Sequence, residues 1–461
     1  IDFIVDGHSH TVMTKGEKGE PIQSTGTAFK NIGVIVIDDA SKKIESNSLY
    51  EIKEDTAKDA TVAAAAKVIV DRVNNEYGTK FATSKVELNG AKAPNGNRDV
   101  ETNNGDLITD AMRWKVLQNK DGLTVNEDHV VAITNGGGIR AAIAKGDVTK
   151  KDINTVLPFG NTVAVVYVTG EQLLEALEAS TFSTPTAVGG FPQVSGINFT
   201  IHTGKAYDKN DATYPESTYY GPKTINRVVI NSVNGKEFKA NEVYAVVTNN
   251  FCAAGGDTYY AFKAASAQFD TGIPLDEAVM EYVTTELKGV IGAQYAAPQG
   301  RILMNPFKDV KVSSWFGKYV IDLYNDGIIN GTSATTYAPN DTLTWAAALK
   351  LLLVSHGDLK AADATGADWS KNAIAKAAEL GLVAADLDGT KAISRLEFCQ
   401  VAAKLNKLAE SKTESKFTDC TDGYVMALVD AKVINGMTET TFEPAASLTR
   451  AQIAKIIYQL N

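Results

Sequence analysis

A repeat in the last third limits the fold of this chain more than any other feature. Ile329-Asn330-Gly331, followed by Tyr337, Pro339 and Leu343-Thr344, returns as Ile434-Asn435-Gly436, followed by Phe442, Pro444 and Leu448-Thr449, each residue 105 positions after its counterpart. A shorter copy lies between them, with Gly381-Leu382-Val383 leading to Ile393-Ser394-Arg395. Repeats of roughly 50 residues bury their apolar faces against one another, because no single copy can build a core alone. Short helical patterns without a convincing strand therefore predict one compact all-α module over residues 306–461, divided at about 306–360, 361–410 and 411–461.

The 461 residues leave room for more, since a domain is typically about 150. Residues 1–52 carry strand signals. Phe3-Ile4-Val5 reads as a short buried strand ending in the turn Asp6-Gly7-His8-Ser9-His10, and Ile32 to Ile37 reads as a second strand closed by Asp38-Asp39. The chain opens in mid-strand, with no basic segment and apolar core of a signal peptide, so a longer parent protein is expected. Ala57, Val62, Ala65, Val68, Ile69, Val73 and Tyr77 recur at helical spacing and predict a connector helix within 53–77. Residues 78–305 alternate strand and helix signals, which predicts an α/β domain of mixed topology.

Composition narrows the function classes. An apolar content of 44% excludes a mainly disordered chain, and no run reaches the ~18–20 apolar residues of a membrane span. With 45 Lys+Arg against 55 Asp+Glu, the net charge of −10 argues against binding a nucleic-acid polymer. Cys252, Cys399 and Cys420 are scattered and form no CxxC pair, so neither a zinc site nor a disulfide framework is indicated.

Several loops carry chemistry-bearing residues, each with two readings. His8 and His10 can aim two imidazoles at one transition metal, or decorate a polar turn. Asn135-Gly136-Gly137-Gly138-Ile139-Arg140 follows a strand and can hold an anion with backbone N–H groups and a guanidinium fork, or serve as a flexible turn. Phe251 ahead of Gly255-Gly256-Asp257, and Phe159 in Leu157-Pro158-Phe159-Gly160-Asn161, offer stacking faces or core rings. Residue patterns stop at an α/β domain whose Gly-rich loops suit a small anionic ligand. His129, His202 and His356 read as structural or surface residues.

In order and spacing, the Gly7-His8-Ser9-His10 turn, Glu101 to Ala111, Asn135 to Arg140, Pro158 to Asn161 and Asn250 to Tyr259 resemble the 5′-nucleotidase family, including its 2′,3′-cyclic-nucleotide phosphodiesterase branch. The resemblance implies that residues 1–52 end an α/β metallophosphoesterase domain and that 78–305 form a mixed-sheet nucleotide-recognition domain. By the same resemblance His8 and His10 would be ligands in a site for two divalent ions such as Zn or Mn. Phe159 and Phe251 would sandwich the base, Asn161 and Asp257 would contact base edge and ribose, and Arg98 and Arg140 would hold the phosphate. Asn103 and Gly137, in the matching motifs, join the nucleotide-binding candidates. Two departures stand out: Pro94 replaces a second arginine four residues before Arg98, and the earlier metal motifs are absent. The expectation is a parent that hydrolyses nucleotides and a 461-residue chain that by itself does not.

The rear repeats resemble S-layer homology modules, through Phe307-Lys308-Asp309-Val310 with Trp315, Ser394-Arg395-Leu396-Glu397 and Thr449-Arg450-Ala451-Gln452. The first copy reads Thr344-Trp345-Ala346-Ala347 and lacks the arginine. That resemblance implies docking of an exported bacterial protein on pyruvylated cell-wall polysaccharide, with Trp315, Arg395 and Arg450 as polymer-binding candidates. The rivals to a wall-anchored nucleotide phosphohydrolase are a surface-layer protein with a ligand-free spacer domain, and a pocket for another phosphorylated metabolite.

Overall fold

The structure, a computed structural model, describes residues 2–360 and 362–461. It divides into two compact units, Ile1–Gly78 and Thr79–Asn461.

The first unit holds β1 (Ile4–Val5), β2 (Val12–Lys15), β3 (Pro21–Thr25), β4 (Asn31–Ile37), β5 (Ile44–Glu51) and α1 (Ala60–Tyr77). β1, β3 and β2 form one small sheet, and β4 pairs with β5 as a hairpin. Burial here differs from the sequence expectation. Val5 is 82% exposed, and Ser24 is the only buried residue among those described in this unit. The apolar stripe of α1 is also exposed at Val62, Val68 and Ile69. Local terms hold the helix: Asp59 caps its first turn by accepting from Val62 N at 2.9 Å, and Lys67 pairs with Asp71 at 2.7 Å. Such terms are worth tenths to about 1–2 kcal/mol each, so packing contributes little to this helix.

The second unit begins with an α/β region. Its elements are β6 (Lys80–Ser84), α2 (Asn103–Leu117), β7 (Val130–Asn135), β8 (Gly146–Thr149), α3 (Lys150–Val156), β9 (Thr162–Thr169), α4 (Gly170–Ser180), β10 (Pro192–Ser195) and β11 (Ile197–Ile201). They continue as β12 (Lys209–Thr213), β13 (Tyr220–Pro222), β14 (Val228–Val233), β15 (Val243–Asn249), α5 (Asn250–Ala253), α6 (Tyr260–Lys263), β16 (Ala267–Pro274), α7 (Leu275–Thr285), β17 (Val290–Ile291) and β18 (Ile302–Met304). The main sheet runs β10-β7-β15-β9-β16, with β15 parallel to β7 and antiparallel to β9.

Strand periodicity explains the layers. Side chains alternate across a strand, so Val130, Ala132, Val163, Val165, Ala245 and Val247 face one core with α2 and α7. Their neighbours Val131, Ile133, Ala164, Val166 and Val246 face a second core with α4 and the sheet β14-β11-β18. A sheet covered on both faces reads as a continuous apolar run rather than an alternating one, which is what Val163 to Val168 shows.

The register also places the loops. Asn249 pairs with Val163 and Pro192 with Asn135. The ends of β7 and β15 and the beginnings of β9 and β10 therefore meet at one edge of the sheet. Loops at carboxyl ends of strands in open α/β sheets are where ligands commonly bind.

The rear third contains α8 (Gly317–Asn325), α9 (Trp345–His356), α10 (Trp369–Glu379), α11 (Arg395–Leu405), α12 (Gly423–Asp430) and α13 (Arg450–Leu460) around one core. Thr344, Ser394 and Thr449 cap α9, α11 and α13. Single β-bridges Thr344–Ala392, Ser394–Ser447 and Thr449–Thr342 link each copy to the next in a closed ring.

Candidate functional site

At the sheet edge, β7 ends in Asn135. Its side chain donates to Asp257 Oδ2 at 2.8 Å, while its Oδ1 accepts from Asn249 Nδ2 at 3.0 Å. Asn249 in turn caps α5 by accepting from Cys252 N at 2.8 Å. Two asparagines thereby fix the Asp257 carboxylate relative to the loop that carries Phe251. Asp257 occupies the left-handed region, φ 52°, which Asp tolerates better than most residues.

Close packing shapes the same loops. A Cβ on Gly256 would come 2.5 Å from the Phe251 ring, so only glycine lets the ring lie over the backbone there. A Cβ on Gly136 would overlap the Asn97 carbonyl, which brings the loop bearing Arg98 against the end of β7. Thr162 N donates to Asn250 Oδ1 at 3.3 Å and ties the start of β9 to α5.

The two phenylalanines sit on adjacent loops, and neither belongs to a core: Phe159 is 60% exposed and Phe251 45%. Burying such rings in the monomer would gain roughly 1.5–3 kcal/mol each, so their exposure at one edge marks a surface shaped for something else. The Arg140 guanidinium stands 5.6 Å from the Phe159 ring centroid and donates to Gly137 O at 3.2 Å. A crevice lined by Gly138, Phe159, Asn161 and Asn249 opens beside it. A larger cavity of about 460 Å³ lies along Phe251, Asp257 and the Pro215–Tyr219 turn.

Electrostatics point to an anion. Arg98 is half-buried and forms no side-chain hydrogen bond or ion pair among the described residues. Burial and the neighbouring Arg140 lower its pKa, with Asp257 opposing. Burial raises the Asp257 carboxyl, with Asn135 and Arg98 acting against it. Two guanidinium groups held near each other with one fixed carboxylate leave a net positive pocket, a favourable place for phosphate.

Arg98, Gly137, Arg140, Phe159, Asn161, Phe251 and Asp257 thus lie on loops at the same end of the sheet, with Phe159 and Asn161 beside the crevice and Phe251 and Asp257 beside the larger cavity. Asn103 is a correction. It is buried at the start of α2, its Nδ2 donates to Glu87 O and Tyr295 O, and its Oδ1 accepts from Asn89 N, so its amide is spent on backbone. Asn135, quoted in the sequence only as part of the Gly-rich loop, Asn249 and Tyr219 are additions to the site residues. Asparagine at both strand ends is the visible signal for the first two, and Tyr219 has none.

His8 and His10 lie on an exposed turn of the first unit, both with positive φ. Among the described residues no group of three or more His, Cys, Asp or Glu side chains could hold a metal ion. A pair of divalent ions needs bridging carboxylates as well as imidazoles, so the described residues do not fit a two-metal centre.

In the ring of helices, Trp315 is 59% exposed. The arginines differ from the expected free forks. Arg395 is only 7% exposed, donates to Asn435 O at 2.7 Å and lies 4.6 Å from the Phe442 ring centroid. Arg450 donates from Nε to Tyr337 O at 2.7 Å and from Nη2 to Asn330 O at 2.8 Å. Each arginine therefore crosses to another copy and fastens the ring, because the carbonyls of the Asn-Gly turns need donors.

Two regions of the chain match known families. Residues 80–264 match the family model of the 5′-nucleotidase C-terminal domain, and residues 306–348 and 419–454 match that of the S-layer homology domain. The chain is similar to the trifunctional nucleotide phosphoesterase protein YfkN of Bacillus subtilis (strain 168), with 32% identity over 323 residues, 66% of this chain and 20% of that protein. It is also similar to cell wall protein Lmo0130 of Listeria monocytogenes serovar 1/2a, with 30% identity, 58% of this chain and 33% of that protein. A 5′-nucleotidase precursor from Thermus thermophilus is a similar solved structure, at 28% identity, TM-score 0.46, 66% of this chain and 59% of that one. The chain spans less than two thirds of the length of each of these relatives. Residues 80–264 are a 5′-nucleotidase C-terminal domain, on a chain that also carries S-layer homology domains at 306–348 and 419–454.

Proposed function

We propose that this chain is the nucleotide-recognition and wall-anchoring part of a cell-wall-anchored nucleotide phosphohydrolase. The observation that carries the reading is the unpaired Arg98 guanidinium beside Arg140, at a sheet edge where two exposed phenyl rings stand on adjacent loops. The base lies between Phe159 and Phe251, its edge toward Asn161. The ribose reaches Asp257, and the phosphate reaches Arg98, Arg140 and the N–H groups near Gly137. Stacking on an aromatic face is worth roughly 1–3 kcal/mol per base.

Calorimetric titration with AMP, adenosine and UDP-glucose tests this. Saturable binding of AMP, tighter than adenosine, supports the reading. No response favours a spacer domain, and preference for UDP-glucose favours another phosphorylated metabolite. Hydrolysis belongs to the longer protein and to divalent ions held outside these residues. Phosphate release from AMP or 2′,3′-cyclic AMP by the purified chain with Mn²⁺ or Zn²⁺ would contradict that part.

Anchoring is assigned to the S-layer homology domains, with pyruvylated polysaccharide as the polymer. Arg395 and Arg450 each keep Nη1 free of hydrogen bonds among the described residues and can offer it to a pyruvyl carboxylate. Trp315→Ala, at an exposed ring, is expected to weaken binding to cell-wall sacculi without unfolding the module, and undiminished pull-down removes Trp315 from the contact.

A further inference from the structure

Between β11 and β14 the chain leaves the α/β core as an arm built on the hairpin β12–β13. Aromatic side chains fasten it. Tyr214 is buried, its ring stacks 4.7 Å from Tyr260, and its hydroxyl donates to Glu175 at 2.8 Å. Phe182 touches both Tyr207 and Tyr219, and Lys263 pairs with Glu216 at 3.3 Å. The arm's tip, Pro215 to Tyr219, is thereby held over the Phe251–Asp257 loop and closes one side of the 460 Å³ cavity.

Tyr219 is half-buried at that wall, and nothing among the described residues bonds to its hydroxyl. Tyr219 and Asp257 line the same cavity, and burial and the Asp257 carboxylate push the phenol up while Arg98 pulls it down. Asp257 has one oxygen engaged by Asn135 and the other without a hydrogen bond among the described residues. An acceptor and a donor without protein partners among the described residues thus line one cavity.

We infer that Tyr219 is a further specificity-determining residue of this pocket, standing opposite Asp257 across a vicinal diol and selecting ribonucleosides over deoxyribonucleosides. A diol meets both needs: one hydroxyl donates to the carboxylate, and the other accepts from the phenol. A phosphate at the same point would be repelled by Asp257. This inference rests on the nucleotide reading of the pocket above.

The test is a comparison of adenosine, 2′-deoxyadenosine and 3′-deoxyadenosine binding to the full chain and to Tyr219→Phe, which removes only the hydroxyl. One added hydrogen bond corresponds to about tenfold in affinity. The wild-type chain is expected to prefer adenosine over at least one deoxy form by about that factor. Tyr219→Phe is expected to lose the factor for adenosine, keep the affinity for that deoxy form, and so erase the discrimination. Equal weakening of all three ligands, or unchanged discrimination, overturns the role of Tyr219 while leaving the pocket standing. Absence of adenosine binding by the wild-type chain overturns the nucleotide reading itself and the inference with it.

Discussion

Replacing Asp106 by Asn should change how stability depends on pH. Asp106 in the first turn of α2 and Glu101, just ahead of that helix, face the segment that leads to the rear domains. Gln299 N donates to Glu101 Oε1 at 2.8 Å and to Asp106 Oδ2 at 3.1 Å, and Ile302 N donates to Glu101 Oε2 at 2.7 Å. Asp110 accepts from Arg301 Nη2 at 2.8 Å. Three carboxylates thus meet one guanidinium in a site where Asp106 is fully buried. Burial first, and the Glu101 charge second, push Asp106 up to about 8.

In the unfolded chain Asp106 releases its proton near 3.9. Between about pH 4 and pH 8 the folded state therefore binds one more proton than the unfolded state, and stability falls as pH rises through that window. One proton sets the limit at ~1.4 kcal/mol per pH unit. Asp106→Asn keeps shape and neutral charge but cannot titrate. Urea melts at pH 6, 7 and 8 should show wild-type stability declining more steeply than that of the variant, the two slopes differing by up to that amount. Equal slopes would refute the extra proton on folded Asp106.

Buried His202 works in the opposite sense. Burial depresses it to about 4, and Asn305 lies 3.0 Å from its Nδ1, so stability is lost as pH falls from about 6.5 toward 4. His202→Gln should flatten thermal melts across that range. Phe159→Ala and Phe251→Ala should each weaken AMP binding by about 5- to 150-fold, the equivalent of ~1–3 kcal/mol of stacking, without lowering Tm much because both rings are exposed. Arg395→Ala should destabilise the ring of helices by about 2–3 kcal/mol, since it strips the Asn435 carbonyl of its charged donor and the Phe442 face of its cation. An unchanged melt would return Arg395 to the surface role first expected of it.

Much of this was legible in the sequence because local chemistry and global packing agree. The helical repeats declared themselves by spacing, and their Ser/Thr caps begin helices as such residues do. The doubly covered sheet showed in the apolar run at Val163 to Val168. What stayed hidden depends on partners far away in the chain. Whether Asn103 faces a pocket or the backbone is decided by Tyr295, almost two hundred residues on. Arg395 and Arg450 looked like surface forks because the carbonyls they serve belong to other copies. Tyr219 sits on an arm whose position follows from ring contacts with Phe182 and from Tyr214 against Tyr260, none visible in local spacing.

The central claim is that distant loops build one nucleotide slot at the sheet edge. A crystal structure of the chain grown with saturating AMP tests it most directly. The expected result is the adenine ring between Phe159 and Phe251, with the phosphate against Arg98 and Arg140. A nucleotide bound elsewhere, or an empty sheet edge at saturating AMP, would contradict it.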